Sequence, residues 1–202
     1  MCGIIGYIGT SEAKPILLEG LKRMEYRGYD SAGLAIIEQK KGLVQSFKKS
    51  GKLGNLFAEL REHTVEGTVG IGHIRWATHG EPNDTNAHPH ADCGDEIFII
   101  HNGIIENFSQ LKLRLMQEQH EFRTATDTEM LAHLIESYYT KKTTLEDAVT
   151  KALHEVIGTY GIAVLSSREP DKIVAARLGS PLILGIVAKG EYIVASDVTA
   201  IL

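Results

Sequence analysis

Only two of the 202 residues are cysteine, Cys2 and Cys93, too few for the disulfide framework of a small secreted scaffold. No apolar stretch reaches 18 residues, and no basic region leads into a hydrophobic segment at the N-terminus. Neither a membrane span nor a secretory signal is expected, which makes the cytoplasm the default compartment. Lysine and arginine never run beyond the pairs Lys40-Lys41 and Lys48-Lys49, and the net charge is -5. That balance excludes an electrostatic case for a nucleic-acid partner or an anionic membrane. A phosphate loop is missing too, because Gly67-x-x-Gly70-x-Gly72 has no Gly-Lys-Ser/Thr after it and reads as strand. Histidine is plentiful between His73 and His101, yet His88-Pro89-His90-x-x-Cys93 fits none of the common zinc spacings. No metal and no cofactor is expected there, and a hydrogen-bonded loop is the plainer reading.

What remains is an ordinary globular chain, 43% hydrophobic and 23% charged, long enough for one domain with a substantial core. Gly3 to Ile8 is a β-branched run bounded by glycine, so it is predicted to be a strand with Cys2 at its head. A helix follows Gly9-Thr10-Ser11, with Ile16, Leu17, Leu18, Leu21 and Met24 as its buried stripe. A polar segment from Glu25 to Ser31 leads into a hairpin about Lys40-Lys41-Gly42, then a short helix through Leu53, Leu56, Phe57 and Leu60. Strands are predicted from Thr68 to Ile74 and from Glu96 to Ile100, the second ending in a glycine turn at His101-Asn102-Gly103. Between them, residues 81–95 hold almost nothing apolar and are expected to form a long surface loop. Helices come next, from Phe108, after the capping-box spacing Thr126-Asp127-Thr128-Glu129, and from Thr144. Four short strands complete the chain, with turns at residues 168–171 and at Lys189-Gly190. About nine strands joined mainly by hairpins, with helices in pairs, predict an α+β fold of antiparallel sheets carrying helices on their outer faces. The end at Ala200-Ile201-Leu202, directly after a strand, suggests a piece of a longer polypeptide.

Cys2 carries the chemistry. Once Met1 is removed, one carbon bears both a thiol and a free α-amine, and near neutral pH the two can exchange a proton without a separate histidine base. The position equally suits a small buried core residue. Cleaving an amide also needs an oxyanion hole and an anchor for the substrate. Asn102-Gly103 offers an amide donor beside a backbone N–H, Arg75 a two-pronged carboxylate clamp, and Asp127 an acceptor for an ammonium as well as a helix cap. Together they describe an α-amino acid with a side-chain amide, glutamine or asparagine. A disulfide between Cys2 and Cys93 would consume that nucleophile.

Met-Cys-Gly-Ile-Ile-Gly, Glu-Tyr-Arg-Gly-Tyr-Asp-Ser-Ala-Gly, Arg-Trp-Ala-Thr-His-Gly, Asn-Ala-His-Pro-His, His-Asn-Gly-Ile-Ile-Glu-Asn and Thr-Asp-Thr-Glu occur in that order between residues 1 and 129. This series resembles the glutaminase domain of the glutamine:fructose-6-phosphate aminotransferase family, within the wider class of N-terminal-nucleophile glutamine amidotransferases. The resemblance implies a four-layer αββα sandwich, residues 1–202 as the glutaminase domain, and Cys2 as nucleophile with its own α-amine as base. It implies Asn102 and Gly103 as oxyanion hole, Arg75, Thr78 and His79 on the glutamine carboxylate, Asp127 and Gly103 on its ammonium, Trp76 as the neighbouring wall and Arg27 beside the nucleophile. Residues 79–88 become a flap over glutamine. The sugar-isomerising half that follows in the family is absent from this chain, and the full-length protein is expected to be a homo-oligomer. A sister enzyme, the phosphoribosylpyrophosphate amidotransferase, shares Met-Cys-Gly and the oxyanion turn, but Tyr29 and Trp76 favour the hexosamine branch. The reading from a different class is a histidine-rich metal-binding module.

Overall fold

A computed structural model describes residues 2–28, 30–76 and 81–202. Six strands, β1 (Gly3–Ile8), β2 (Ser31–Glu38), β3 (Leu43–Ser50), β4 (Val69–Arg75), β9 (Ile183–Ala188) and β10 (Glu191–Ala195), form one antiparallel sheet. Its order is β3-β2-β4-β1-β10-β9, so β1 lies inside the sheet, between β4 and β10. The other sheet takes β5 (His90–Ala91), β6 (Ile97–Ile105), β7 (Gly158–Ser166) and β8 (Val174–Leu178) in chain order, again antiparallel. Helices α1 (Ala13–Arg23) and α2 (Leu53–Arg61) cover the first sheet. Helices α3 (Phe108–Gln117), α4 (Asp127–Tyr138) and α5 (Leu145–Glu155) cover the second.

The two-residue period of the strands builds these layers. On β1, Ile5 and Tyr7 face the helices while Ile4 faces the opposite sheet; on β2, Leu34 and Ile36 go one way and Ala35 and Ile37 the other. On β6 and β7, Ile97, Ile99, Ile162 and Val164 meet the helices, whereas Phe98, Ile100, Ala163 and Leu165 meet the first sheet. Such strands are buried on both faces and therefore read as unbroken apolar runs. The result is the expected αββα sandwich. No helix among the described residues is long and apolar enough to cross a membrane.

The glycine pattern runs into strand β4 as expected, and Gly70 is a packing device: a Cβ there would stand 2.9 Å from both Leu17 Cδ1 and Ala35 O, so its absence lets α1 settle onto β4. Other expectations need correction. Residues 81–95 are not simply a surface loop, since residues 86–90 are buried and His90–Ala91 pairs with β6. Polar side chains satisfy that segment locally: Asn83 Oδ1 accepts from Asn86 N at 2.7 Å, and Asn86 Oδ1 accepts from Ala125 N at 3.1 Å. Strand β6 does not end at Gly103 but runs on to Ile105, with Gly103 paired to Tyr160. Ten strands form instead of nine among the described residues. The capping box is half made, because Thr126 Oγ1 accepts from Glu129 N but the Glu129 carboxylate turns to Arg123 N and Thr124 N. At the sheet edge, β9 leaves Leu184 and Ile186 exposed.

Candidate active site

Cys2 sits at the head of β1, and the main-chain pairing of β1 with β4 places it beside the end of β4. The register Gly3↔Ile74 brings Cys2 against Arg75 and Trp76, although more than seventy residues separate them in the chain. The facing sheet contributes Asn102 and Gly103 from β6, and α4 contributes Asp127 at its first residue. A cavity of about 410 Å³ opens among them, lined by Cys2, Arg27, Arg75, Trp76, Asn102, Gly103 and Asp127 together with Thr126, Thr159, Ser180 and Pro181. Seven of the nine residues expected in the site therefore share one cavity. Thr78 and His79 lie outside the described residues, as do Met1 and Tyr29.

The thiol donates to Trp76 O at 3.3 Å and accepts from Trp76 N at 3.2 Å. Burial pushes its pKa up, against the pull of the Trp76 hydrogen bond and the Arg75 charge, so the resting group is the thiol and needs a base to become a nucleophile. Among the described residues its hydrogen bonds run to this main chain and not to a histidine or carboxylate. Asn102 Nδ2 donates to Cys2 O at 3.2 Å, which turns Oδ1 towards His73 Nε2, 2.9 Å away. Burial drives His73 down to about 3, so the ring is neutral, and since Oδ1 can only accept, the proton is on Nε2. His73 thereby fixes which way the Asn102 amide points.

Gly103 has φ of +137°, and a Cβ there would stand 2.0 Å from Thr159 O, so this strand position tolerates no side chain. Asp127 is not the cap of α4; that is Thr126. Its buried carboxylate instead accepts from Ile105 N at 3.0 Å and faces His101 Nδ1 at 3.9 Å. Arg75 is buried with Nη1 3.8 Å from Asp30 Oδ1. An anionic group and a cationic group are thus held on different elements around one cavity. Arg27, in a 3-10 turn at Glu25–Arg27, donates to Asp197 Oδ2 at 2.9 Å and to Ser196 O at 3.1 Å, which ties this wall to the end of the chain. Trp76 is half exposed at the mouth.

His73, His88 and His101 were missing from the sequence reading of the site. The signal for His73 was available: two residues before Arg75 on one strand, it must share that side chain's face. His88 packs its ring 4.1 Å from that of His73, so the C-terminal end of the segment read as a flap is anchored under the cavity. Cys93 lies apart from His88 and His90, and its polar neighbours are His120, His133 and Glu136.

The layered fold and this cavity define an amidotransferase: the chain belongs to the glutamine amidotransferase domain family, which residues 58–202 match. The glutamine–fructose-6-phosphate aminotransferase (isomerizing) of Clostridium tetani is 52% identical over 202 residues, which are all of this chain and 32% of that protein. The enzyme of the same name from Pyrococcus horikoshii is 50% identical over 202 residues, again all of this chain and 33% of that protein. This chain spans about a third of the length of the curated relatives it matches. Among solved structures, the glutamine phosphoribosylpyrophosphate amidotransferase from B. subtilis, complexed with ADP and GMP, aligns with a TM-score of 0.83 at 29% identity. That alignment covers 98% of this chain and 42% of the other.

Proposed function

We propose that residues 1–202 are a glutaminase domain that hydrolyses L-glutamine to glutamate and ammonia through a thioester on Cys2. The observation that carries this reading is the meeting of the Cys2 thiol, the Asn102 amide, Arg75 and Asp127 around one cavity. With Met1 removed, the α-amine of Cys2 takes the thiol proton as Sγ attacks the carboxamide carbon. Negative charge develops on the carboxamide oxygen, where Asn102 Nδ2 and the Gly103 N–H donate to it. The protonated amine then gives its proton to the departing nitrogen, the C–N bond breaks, and ammonia leaves. Water, activated by the same amine, attacks the thioester; the sulfur leaves, recovers a proton, and glutamate is released. Arg75, with Thr78 and His79, holds the substrate carboxylate, Asp127 and the Gly103 carbonyl its ammonium, and Trp76 and Arg27 the walls.

In the full-length protein the ammonia serves conversion of fructose 6-phosphate to glucosamine 6-phosphate by a C-terminal sugar-isomerising domain, within a cytoplasmic homo-oligomer. The identities of 50% and above to aminotransferases over the whole chain, against 29% to the phosphoribosylpyrophosphate amidotransferase, support this branch. The exposed Leu184 and Ile186 of β9 give a partner domain an apolar edge to cover. The test is incubation of the chain with glutamine and, separately, with glutamine and fructose 6-phosphate. Glutamate and ammonia in equal amounts with no amino sugar are expected; absence of glutamate formation by a chain shown by mass to begin at Cys2 overturns the reading.

A further inference from the structure

On the side of α4 away from the cavity, three distant segments bring together a thiol, two imidazoles and a carboxylate. Cys93 comes from the loop after β5, His120 from the connection between α3 and α4, and His133 and Glu136 from one face of α4. One ligand atom from each lies within 4.8 Å of all the others. We propose that Cys93, His120, His133 and Glu136 form a structural zinc site.

Four of the six distances between the ligand atoms approach those of a tetrahedron around zinc. Metal bonds of about 2.3 Å to sulfur and about 2.0 Å to nitrogen, at tetrahedral angles, set sulfur and nitrogen roughly 3.5 Å apart. Cys93 Sγ is 3.4 Å from His133 Nδ1 and 3.6 Å from His120 Nδ1. Glu136 Oε2 lies 2.9 Å from His120 Nδ1 and 3.1 Å from His133 Nδ1, a little shorter because protons now occupy those edges. Four donors of these kinds with no position left over match zinc in a closed site, and the single soft sulfur argues against magnesium or calcium. The charges also balance: when zinc binds, the Sγ–H bond and the two Nδ1–H bonds break and their protons go to solvent, each neutral ring keeping its one proton on Nε2, so one thiolate and one carboxylate neutralise the doubly charged ion. His133 Nε2, buried on the far side of its ring without a hydrogen bond, faces Glu129 Oε1 at 3.8 Å, and that carboxylate is held by Arg123 N at 2.6 Å and Thr124 N at 2.7 Å. A carboxylate behind a metal-binding histidine orients the ring and makes it a better ligand. Half-buried Cys93, His120 and Glu136 leave the ion a way in. A filled site would pin the loop after β5 and the connector to α4, the helix that presents Asp127 to the cavity.

The test begins with metal analysis of the purified chain, followed by chelation and titration with zinc and with cobalt. We expect one zinc per chain, a thiolate-to-cobalt charge-transfer band, and an unfolding midpoint that zinc raises. Cys93→Ala and His120→Ala should each lose the band and the zinc-dependent shift, and His120, near the surface, is the variant least able to disturb folding. The cobalt band reports Sγ ligation directly, which a merely packed cysteine cannot produce. A stripped wild-type chain that takes up neither metal, or variants that bind both as the wild type does, would overturn the assignment.

Discussion

Lowering the pH from 8 to 5 should destabilise this domain steeply, and the reason lies behind the cavity. His73, His88 and His90 are buried, their rings in contact, and burial holds all three well below the ordinary value of 6.5, His73 at about 3. His73 Nδ1, His88 Nδ1 and His90 Nδ1 have no hydrogen-bond partner among the described residues, so a second proton on any ring would be buried unanswered. Between pH 3 and 6.5 the unfolded chain therefore binds protons that the folded one refuses, and stability rises with pH across that window. At 1.36 kcal/mol per unit, a drop to pH 5 costs about 2 kcal/mol for His73 alone, and His88 and His90 act in the same direction. Because a domain's whole stability is about 5 to 15 kcal/mol, a change of this size is a substantial part of the total. Urea midpoints at pH 8, 7, 6 and 5 measure it, and NMR of the ring protons shows which histidines titrate. A midpoint that stays level over this range, with three rings titrating near 6.5, would refute the argument.

Cys2→Ala should abolish glutamine hydrolysis while shifting the unfolding midpoint little, since the side chain is small and only half buried; assay and calorimetry on one sample decide it. Arg75→Lys keeps the charge but loses the forked contact, and should weaken glutamine binding by about 1 to 3 kcal/mol, read as a raised KM. Unchanged kinetics would remove Arg75 from the site. Gly103→Ala drives a Cβ to 2.0 Å from Thr159 O at a positive φ, so both turnover and stability should fall; a fully active, equally stable variant would show that β6 yields there.

Local patterns carried the sequence reading far. The run from Gly3 to Ile8 is β1 to the residue, and α5 opens at the expected Thr144, which is its cap. The short motifs named Cys2, Arg75, Asn102 and Asp127, which the fold gathers although they lie on β1, β4, β6 and α4. What escaped depends on partners remote in sequence. The two-residue β5 exists only because β6 lies alongside it. Polar residues 86–90 read as surface because nothing local shows that Asn86 is answered by Ala125 N, or that His90 Nε2 meets Thr126 Oγ1 at 3.2 Å. The same limit hid the partners of Cys93, which stand 27, 40 and 43 positions further on.

The place of β1 inside its sheet has a consequence in time. The strand that carries Cys2 is the first to be made, yet one of its two neighbours is β10, paired through Ile5↔Ala195 to Ile8↔Tyr192, and Ile4 N is answered by Ser196 Oγ at 2.9 Å. At about 5 to 20 residues per second, a ribosome needs on the order of 10 to 40 s to deliver that neighbour after the thiol has emerged. Throughout that interval the β10 side of β1 is an unpaired edge, and Arg27 lacks the Asp197 carboxylate that holds it. The wall that Arg27 gives the cavity is therefore fastened only once nearly two hundred residues exist, long after the thiol itself has been made.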